Sequence, residues 1–368
     1  MRQLLLAALL VGACDSDVTD PASEDKLEIS ALVDIDDRGR ILVTFHDTTT
    51  GRAGILESGN TTLLPKPTGG MVLLSVADMN ENGRVVGSVA RINGQQVPFI
   101  WEPGMPQLEV LATGDNHDYL PNAINDDGTF VGTVFLSGTD DLNPERLPFI
   151  WSEADGLRHL QPPIANGTFR WSGAYGINNI GQVVGFWDDN DNGGLYISSF
   201  SWMPGTGFDR VEGISGRFRG ETVARAVNNN GEVTGLNTDS VSAGFVWNRL
   251  DGMLRIGSTS HSCGRDINDA GDVVGRMHHP GGNTLGAFYW NRTSGVTMMT
   301  DPTQSAYANR INNNGQAIGA IESNLPNGMR VTHFMWSKQS GMQIIGEIEY
   351  DWSAQANARP QSSQSLAC

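Results

Sequence analysis

Positive charge is scarce in this chain. Lysine and arginine number 24 against 41 aspartates and glutamates, a net charge of −17. Neutralising a phosphate backbone takes clustered Lys and Arg. Nucleic acid is therefore disfavoured as a partner, and so is adhesion to anionic lipid through charge. The acidic surface reads as solvated and solubilising; the alternative is an acidic face that serves cations or a basic partner. Cysteine is nearly absent, with Cys14, Cys263 and Cys368 the three in 368 residues. That is too few for a disulfide framework, and no Cys or His stands at zinc spacing. A bridge between Cys263 and Cys368 would pin the tail, but spacing alone does not establish it, and free or otherwise paired thiols are the alternative. Catalytic signatures are missing as well. There is no Gly-x-Ser-x-Gly elbow, no His-Glu-x-x-His and no phosphate-binding glycine loop. A sialidase-type aspartate box is also absent. Charged residues make up 18% and no low-complexity block occurs, so disorder is expected only at the two ends.

What the chain has is a repeat. An apolar residue, Asn or Asp, two more residues and Gly recur seven times, usually followed by Val-Val-Gly. The phrase reads IDDRGRILV at 35–43, MNENGRVVG at 79–87, INDDGTFVG at 124–132 and INNIGQVVG at 177–185. It continues as VNNNGEVTG at 227–235, INDAGDVVG at 267–275 and INNNGQAIG at 311–319. The steps between successive first glycines are 44, 45, 53, 50, 40 and 44 residues. A period of this length marks a propeller, solenoid or array.

Each unit has further parts. Phe-x-Trp occurs at 99–101, 149–151, 200–202, 245–247, 288–290 and 334–336, with the degenerate Ile55-Leu56-Glu57 in the first unit. A Gly and another apolar stretch follow, as in GMPQLEVL at 104–111 and GMQII at 341–345. These pieces are too short for helices, rich in β-branched and aromatic residues, and bounded by Asn, Asp and Gly. They read as strands. The Asn/Asp tetrad ending in Gly supplies the backbone for a tight hairpin. One unit is thus four strands: A before the motif Asn, B at Val-Val-Gly, C at Phe-x-Trp and D after it. Four residues before the motif Asn stand Leu32, Val76, Pro121, Ala174, Ala224, Gly264 and Ala308. Most are small, as crowding on an innermost strand demands. The expectation is an all-β seven-bladed β-propeller of four-stranded antiparallel blades over residues 28–346.

The order of these phrases resembles the HAF-repeat family of predicted bacterial extracellular proteins over about residues 30–346. The family's Asp-Leu-Gly-Thr-Leu-Gly-Gly phrase survives only in traces such as Leu111-Ala112-Thr113-Gly114. The resemblance implies this fold and an extracytoplasmic location. It carries no activity onto particular residues.

Residues 1–13 read as a signal peptide. Arg2 precedes LLLAALLV at 4–11, a run too short to span a membrane. Val11-Gly12-Ala13-Cys14 resembles the lipobox of bacterial lipoproteins, which implies lipidation of Cys14 and attachment to the cell envelope, periplasmic or surface-exposed. Stable anchoring takes more than one acyl chain. Residues 14–27 are a polar tether. Residues 347–368 form a C-terminal tail, in which 352–358 is a candidate ring-closing strand.

The variable connections are B–C and D–A, and alternation of strands gathers them on one face. A glycan or protein ligand is expected there. The candidate ligand-binding residues are Tyr119, Arg170, Trp171, Phe218, Arg219 and Tyr307; the alternative is that each aromatic packs under its own loop. Asp118, His117, His261 and Arg219 are the candidate acid/base residues if the propeller is a glycan hydrolase or lyase. Asp188, Asn190 and Asn192 match the start of a calcium loop, although its twelfth position is Ser199 where Glu belongs. A polar hairpin loop is the plainer reading. No other cofactor is expected.

Overall fold

The computed structural model describes residues 27–46, 51–138, 145–161, 171–189, 196–211, 222–238, 242–257 and 261–351. These form 28 strands in seven four-stranded antiparallel sheets, and no helix occurs among the described residues. Each sheet takes its strands in sequence order, A-B-C-D. The A strands are Ile29–Ile35, Val72–Met79, Asp118–Ile124, Ser172–Ile177, Thr222–Val227, Ser262–Ile267 and Ser305–Ile311. Each lies against the A strands of both neighbouring blades, and Ser305–Ile311 lies against Ile29–Ile35. The A strands therefore surround the axis, and the chain is a closed seven-bladed β-propeller.

Stacking covers both faces of a blade. Strands B and C accordingly read as continuous apolar runs, not alternating ones. Val85 and Val86 are both fully buried although they point to opposite faces. The Phe of every Phe-x-Trp phrase is buried completely. It pairs with the second Gly of the motif on strand B, as in Phe99 with Gly87 and Phe200 with Gly185.

That second Gly has a steric cause. A Cβ on Gly235 would lie 2.0 Å from the Val223 carbonyl oxygen, and one on Gly275 would lie 1.9 Å from that of Cys263. Strand A passes close because it carries a β-bulge beside every such glycine. The pairing skips one residue between Ala174 and Gly176, and likewise between Ala224 and Ala226. The skipped residues around the ring are Val33, Ala77, Asn122, Tyr175, Arg225, Arg265 and Asn309. A bulge turns an extra side chain out of the ladder, here at the axis.

The first blade corrects the sequence alignment by one residue. Val43 pairs with Gly54 and Ile41 with Leu56. The counterpart of Phe-x-Trp is therefore Gly54-Ile55-Leu56, not Ile55-Leu56-Glu57. The large and small partners have exchanged strands: Val stands where the other blades have Gly, and Gly where they have Phe. One large and one small residue still face each other, and the Phe45 ring lies 3.3 Å from where a Gly54 Cβ would stand.

Candidate functional site

The A–B turns build one end of the axis. Each motif Gly has φ between 72° and 83°, the left-handed region that disfavours a side chain. The Gly N–H donates to the motif Asn carbonyl, at 2.8 Å between Gly83 and Asn80. The Asn side chain works at both ends. Its Oδ1 accepts the N–H groups of its own turn, from Asn82 at 3.1 Å and Arg84 at 2.9 Å in the case of Asn80. Its Nδ2 donates to the motif carbonyl of the next blade. These bonds run Asn80 to Asn125 (3.0 Å), Asn125 to Asn178 (3.2 Å) and Asn178 to Asn228 (2.8 Å). They continue Asn228 to Asn268 (2.8 Å), Asn268 to Asn312 (3.1 Å) and Asn312 to Asp36 (2.8 Å).

Six junctions are thus bracketed by Asn. At the seventh the motif residue is Asp36, whose side chain has no N–H to give. Arg40 supplies the donor. Its Nε meets Asp36 Oδ2 at 2.5 Å, and a terminal nitrogen donates to the Glu81 carbonyl at 3.0 Å.

A second circle runs outside the first. The N–H of the residue after the motif Asn donates to the side-chain oxygen of the same residue in the next blade. It passes from Asp37 to Glu81 (3.0 Å), to Asp126 (3.0 Å), to Asn179 (2.9 Å) and to Asn229 (2.9 Å). Asp269 (2.8 Å), Asn313 (2.8 Å) and Asp37 again (2.6 Å) complete it. All seven blades take part. The polar motif, which resembles a row of hairpin turns in the sequence, is the fastener between blades.

Inside these circles lies a cavity of about 420 Å³, within the usual range for small-molecule sites. Its rim carries Asp37, Glu81, Asp126 and Asp269. Below the rim stand Asp34, Asp78, Asp266 and Arg310, each two residues before its motif position. Asp34, Asp78 and Asp266 accept the backbone N–H of Met79 (3.1 Å), Ile124 (2.9 Å) and Ile311 (2.8 Å) in the following blade. Arg310 Nε is 3.5 Å from Asp34 Oδ1. One residue further in come the bulge side chains Asn122, Tyr175, Arg225, Arg265 and Asn309.

The charges are not evenly matched. Burial pushes the Asp78 carboxyl well above its ordinary pKa, and the neighbouring Asp34 adds to this. Burial also raises Asp266 to about 6, against the pull of Arg310. Burial opposes the Arg310 charge, but Asp78, Asp266 and Asp34 outweigh it and lift its pKa. Arg225 has no carboxylate among the groups that shift it, and Arg265 lies against Asn309 and Tyr307. Burial lowers both, with Arg265 falling to about 10 and Arg225 itself contributing to that fall. At the rim, burial raises Glu81 to about 7, and Asp37, Asp36 and Asp126 reinforce the rise.

The cavity opens among the A–B turns, the end opposite to the variable loops. The residues singled out from the sequence lie elsewhere. Tyr119 is fully buried, its ring edge-on to Phe149 at 5.2 Å. Its hydroxyl donates to Asp115 Oδ2 at 2.7 Å and lies 2.9 Å from His159 Nε2. Burial and the bond to Asp115 raise its pKa, and burial lowers that of His159. Asp118 accepts the Gln96 N–H at 2.8 Å, and the Ser137 N–H donates to His117 Nδ1 at 3.0 Å. His261 stands on the sixth blade beside His278, with ring centroids 5.5 Å apart. His117 and Asp118 belong to the third blade, so the three candidates are not brought together. Trp171 is 39% exposed, and the Arg146 guanidinium lies 5.4 Å from its ring centroid. Tyr307 carries the Arg265 guanidinium over its ring at 4.7 Å.

Asp188 is buried on strand Val183–Asp189 and paired with Ile197, so it continues strand B instead of opening a loop. Asn190, Asn192, Arg170, Phe218, Arg219, Cys14 and Cys368 lie outside the described residues. No cluster of three or more His, Cys, Asp or Glu suited to a metal occurs among the described residues. Cys263 is 2% exposed and disulfide-bonded; both other cysteines lie outside the described residues.

No family model matches the chain, and no curated protein matches it. Solved structures do. A prolyl endopeptidase aligns with a TM-score of 0.63 at 11% identity, over 88% of this chain and 50% of its own. An acylaminoacyl peptidase from Pyrococcus horikoshii aligns at 0.60 and 9% identity, over 87% and 52%. Prolyl oligopeptidase B from Galerina marginata aligns at 0.60 and 6% identity, over 88% and 51%. The chain spans about half the length of these peptidases. Identities this low carry the fold alone.

Proposed function

We propose that this protein is a lipid-anchored extracytoplasmic β-propeller that serves as a non-catalytic binding or scaffolding module for a glycan or protein partner. Acylation of Cys14 attaches it to the cell envelope. Residues of the variable-loop face, Trp171 foremost, meet the partner. The observation that carries this reading is the commitment of the acid/base candidates to packing and backbone. Asp118 accepts the Gln96 N–H, His117 accepts the Ser137 N–H, and His117 and His261 stand three blades apart. Trp171, exposed and braced by Arg146, is the surface such a module offers a partner. The test is a glycan array read beside turnover of the same glycans. Binding without turnover, lost in Trp171→Ala, supports the module. Membrane-fraction recovery that persists in Cys14→Ser removes the anchor.

The second reading is a glycan hydrolase or lyase. One observation favours it: Tyr119, Asp115, His159 and His117 cluster at the loop end of the third blade, with the two histidine centroids 6.3 Å apart. Turnover that disappears in Asp118→Ala or His117→Ala while binding persists establishes that reading.

A further inference from the structure

The axial cavity lies at the end opposite to the loop face and has its own chemistry. Its charges are graded along the axis. Carboxylates of Asp37, Glu81 and Asp126 hold the mouth. Asp34, Asp78 and Asp266 follow, sharing the single guanidinium of Arg310. Arg225 and Arg265 stand one residue deeper, on the bulges of the fifth and sixth blades. Arg225 has no carboxylate among the groups that shift it: Tyr175 lies beside it, and the cation Arg310 opposes its charge. Its Nε is buried without a hydrogen-bond partner, as are those of several other arginines. A guanidinium desolvated with no carboxylate beside it costs a fold stability. The fold does not demand a cation at this bulge position, because the equivalent positions hold Val33 and Ala77 in the first two blades.

We infer that the axial cavity is a binding site for a compact zwitterion, with the ligand's carboxylate on Arg225 at the inner end and its ammonium among Asp34, Asp78 and Asp266. A simple anion is repelled by the acidic mouth, and a simple cation has nothing to offer Arg225. A molecule with one charge of each sign, a few ångströms apart, answers both walls. Arginine presents a planar fork that matches a carboxylate. The bracketed turns hold the walls in place beforehand, so little ordering is needed on binding. This site is separate from the loop-face reading and does not depend on it.

Isothermal titration at low ionic strength tests it. The probes are L-alanine, alanyl-alanine and glycine betaine, with alaninamide and N-acetylalanine as the singly charged controls. At least one zwitterion is expected to saturate, with both controls at least tenfold weaker. Arg225→Gln is expected to weaken that zwitterion at least tenfold while melting at or above the wild-type temperature, because it removes an unmatched charge. Any glycan-array signal is expected to be the same in Arg225→Gln, which separates failure here from failure of the loop-face reading. The inference is overturned if no zwitterion saturates, if N-acetylalanine binds as well, or if Arg225→Gln binds as wild type. It is equally overturned if Arg225→Gln melts well below wild type, which would make Arg225 a structural residue.

Discussion

Asn312 Nδ2 donates to the carbonyl oxygen of Asp36 at 2.8 Å, joining the last blade to the first across 276 residues of sequence. The same side chain accepts the N–H groups of Asn314 and Gln316 at 3.1 and 2.9 Å. Removing it orphans two donors in one turn and an acceptor in another. Asn312→Ala is expected to cost about 2–4 kcal/mol. Asn313→Ala, whose side chain is exposed, is expected to cost about 1 kcal/mol. Urea unfolding of the two variants checks the order.

The first junction predicts a compensation. Asp36 and Arg40 form a buried pair in place of the amide bracket. Asp36→Asn alone strands the Arg40 charge and is expected to cost about 3 kcal/mol. Adding Arg40→Gln recreates the Asn/Gln arrangement of the fourth and seventh blades, where Nδ2 meets the Gln oxygen at 3.2 and 2.9 Å. The double variant is expected to recover most of the loss. A double-mutant cycle measures it.

Glu81 makes stability depend on pH with a definite sign. Its pKa is raised from 4.5 to about 7, chiefly by burial. The folded state therefore holds a proton that the unfolded chain releases between those values. This contribution is complete below pH 4.5 and is lost as pH rises through about 7. Glu81→Gln still accepts the Asp37 N–H but cannot ionise. It is expected to melt above wild type at pH 8, with the advantage gone near pH 4.5. Paired melting curves across that interval read the difference, and opposing histidines cancel because both proteins contain them.

Two kinds of glycine predict two sizes of damage. Gly235→Ala drives a methyl group to 2.0 Å from the Val223 carbonyl oxygen, which demands movement of strand A. It is expected to cost about 3 kcal/mol or more. Gly252 has φ of 73° but nothing within 4 Å of an added Cβ. Gly252→Ala is expected to cost about 1–2 kcal/mol, the conformational penalty alone. Thermal denaturation ranks them.

The repeat made the blades readable because each is a local pattern. Phe200 opposite Gly185 shows up as two phrases in a fixed order, and Ala174 and Ala224 reveal a crowded inner strand. Partners in other blades leave no such trace. Asn178 looks like a turn residue because its contact, the Asn228 carbonyl, is 50 residues away. Ile55-Leu56-Glu57 reads as a degenerate phrase because Val43, the partner that shows the true register, sits on another strand. The axial charges are hidden for the opposite reason: Asp34, Asp78, Asp266, Arg225 and Arg265 interrupt the apolar pattern of the A strands instead of forming it. Charged side chains just before the motif Asn, on strands expected to be buried, were the available signal. Loop variability pointed to the other end of the axis, since it marks where insertions are tolerated and says nothing of where the inner strands converge.

The fastening of blade to blade through the motif turns is tested most directly by amide hydrogen exchange at Asp37, Glu81, Asp126, Asn179, Asn229, Asp269 and Asn313. These N–H groups sit on exposed or half-buried turns, where an unpaired amide exchanges almost freely, yet each is bonded to the next blade. All seven are predicted to be protected together, to a level set by opening of the ring. Rapid exchange at these positions, with the strands protected around them, would contradict the account.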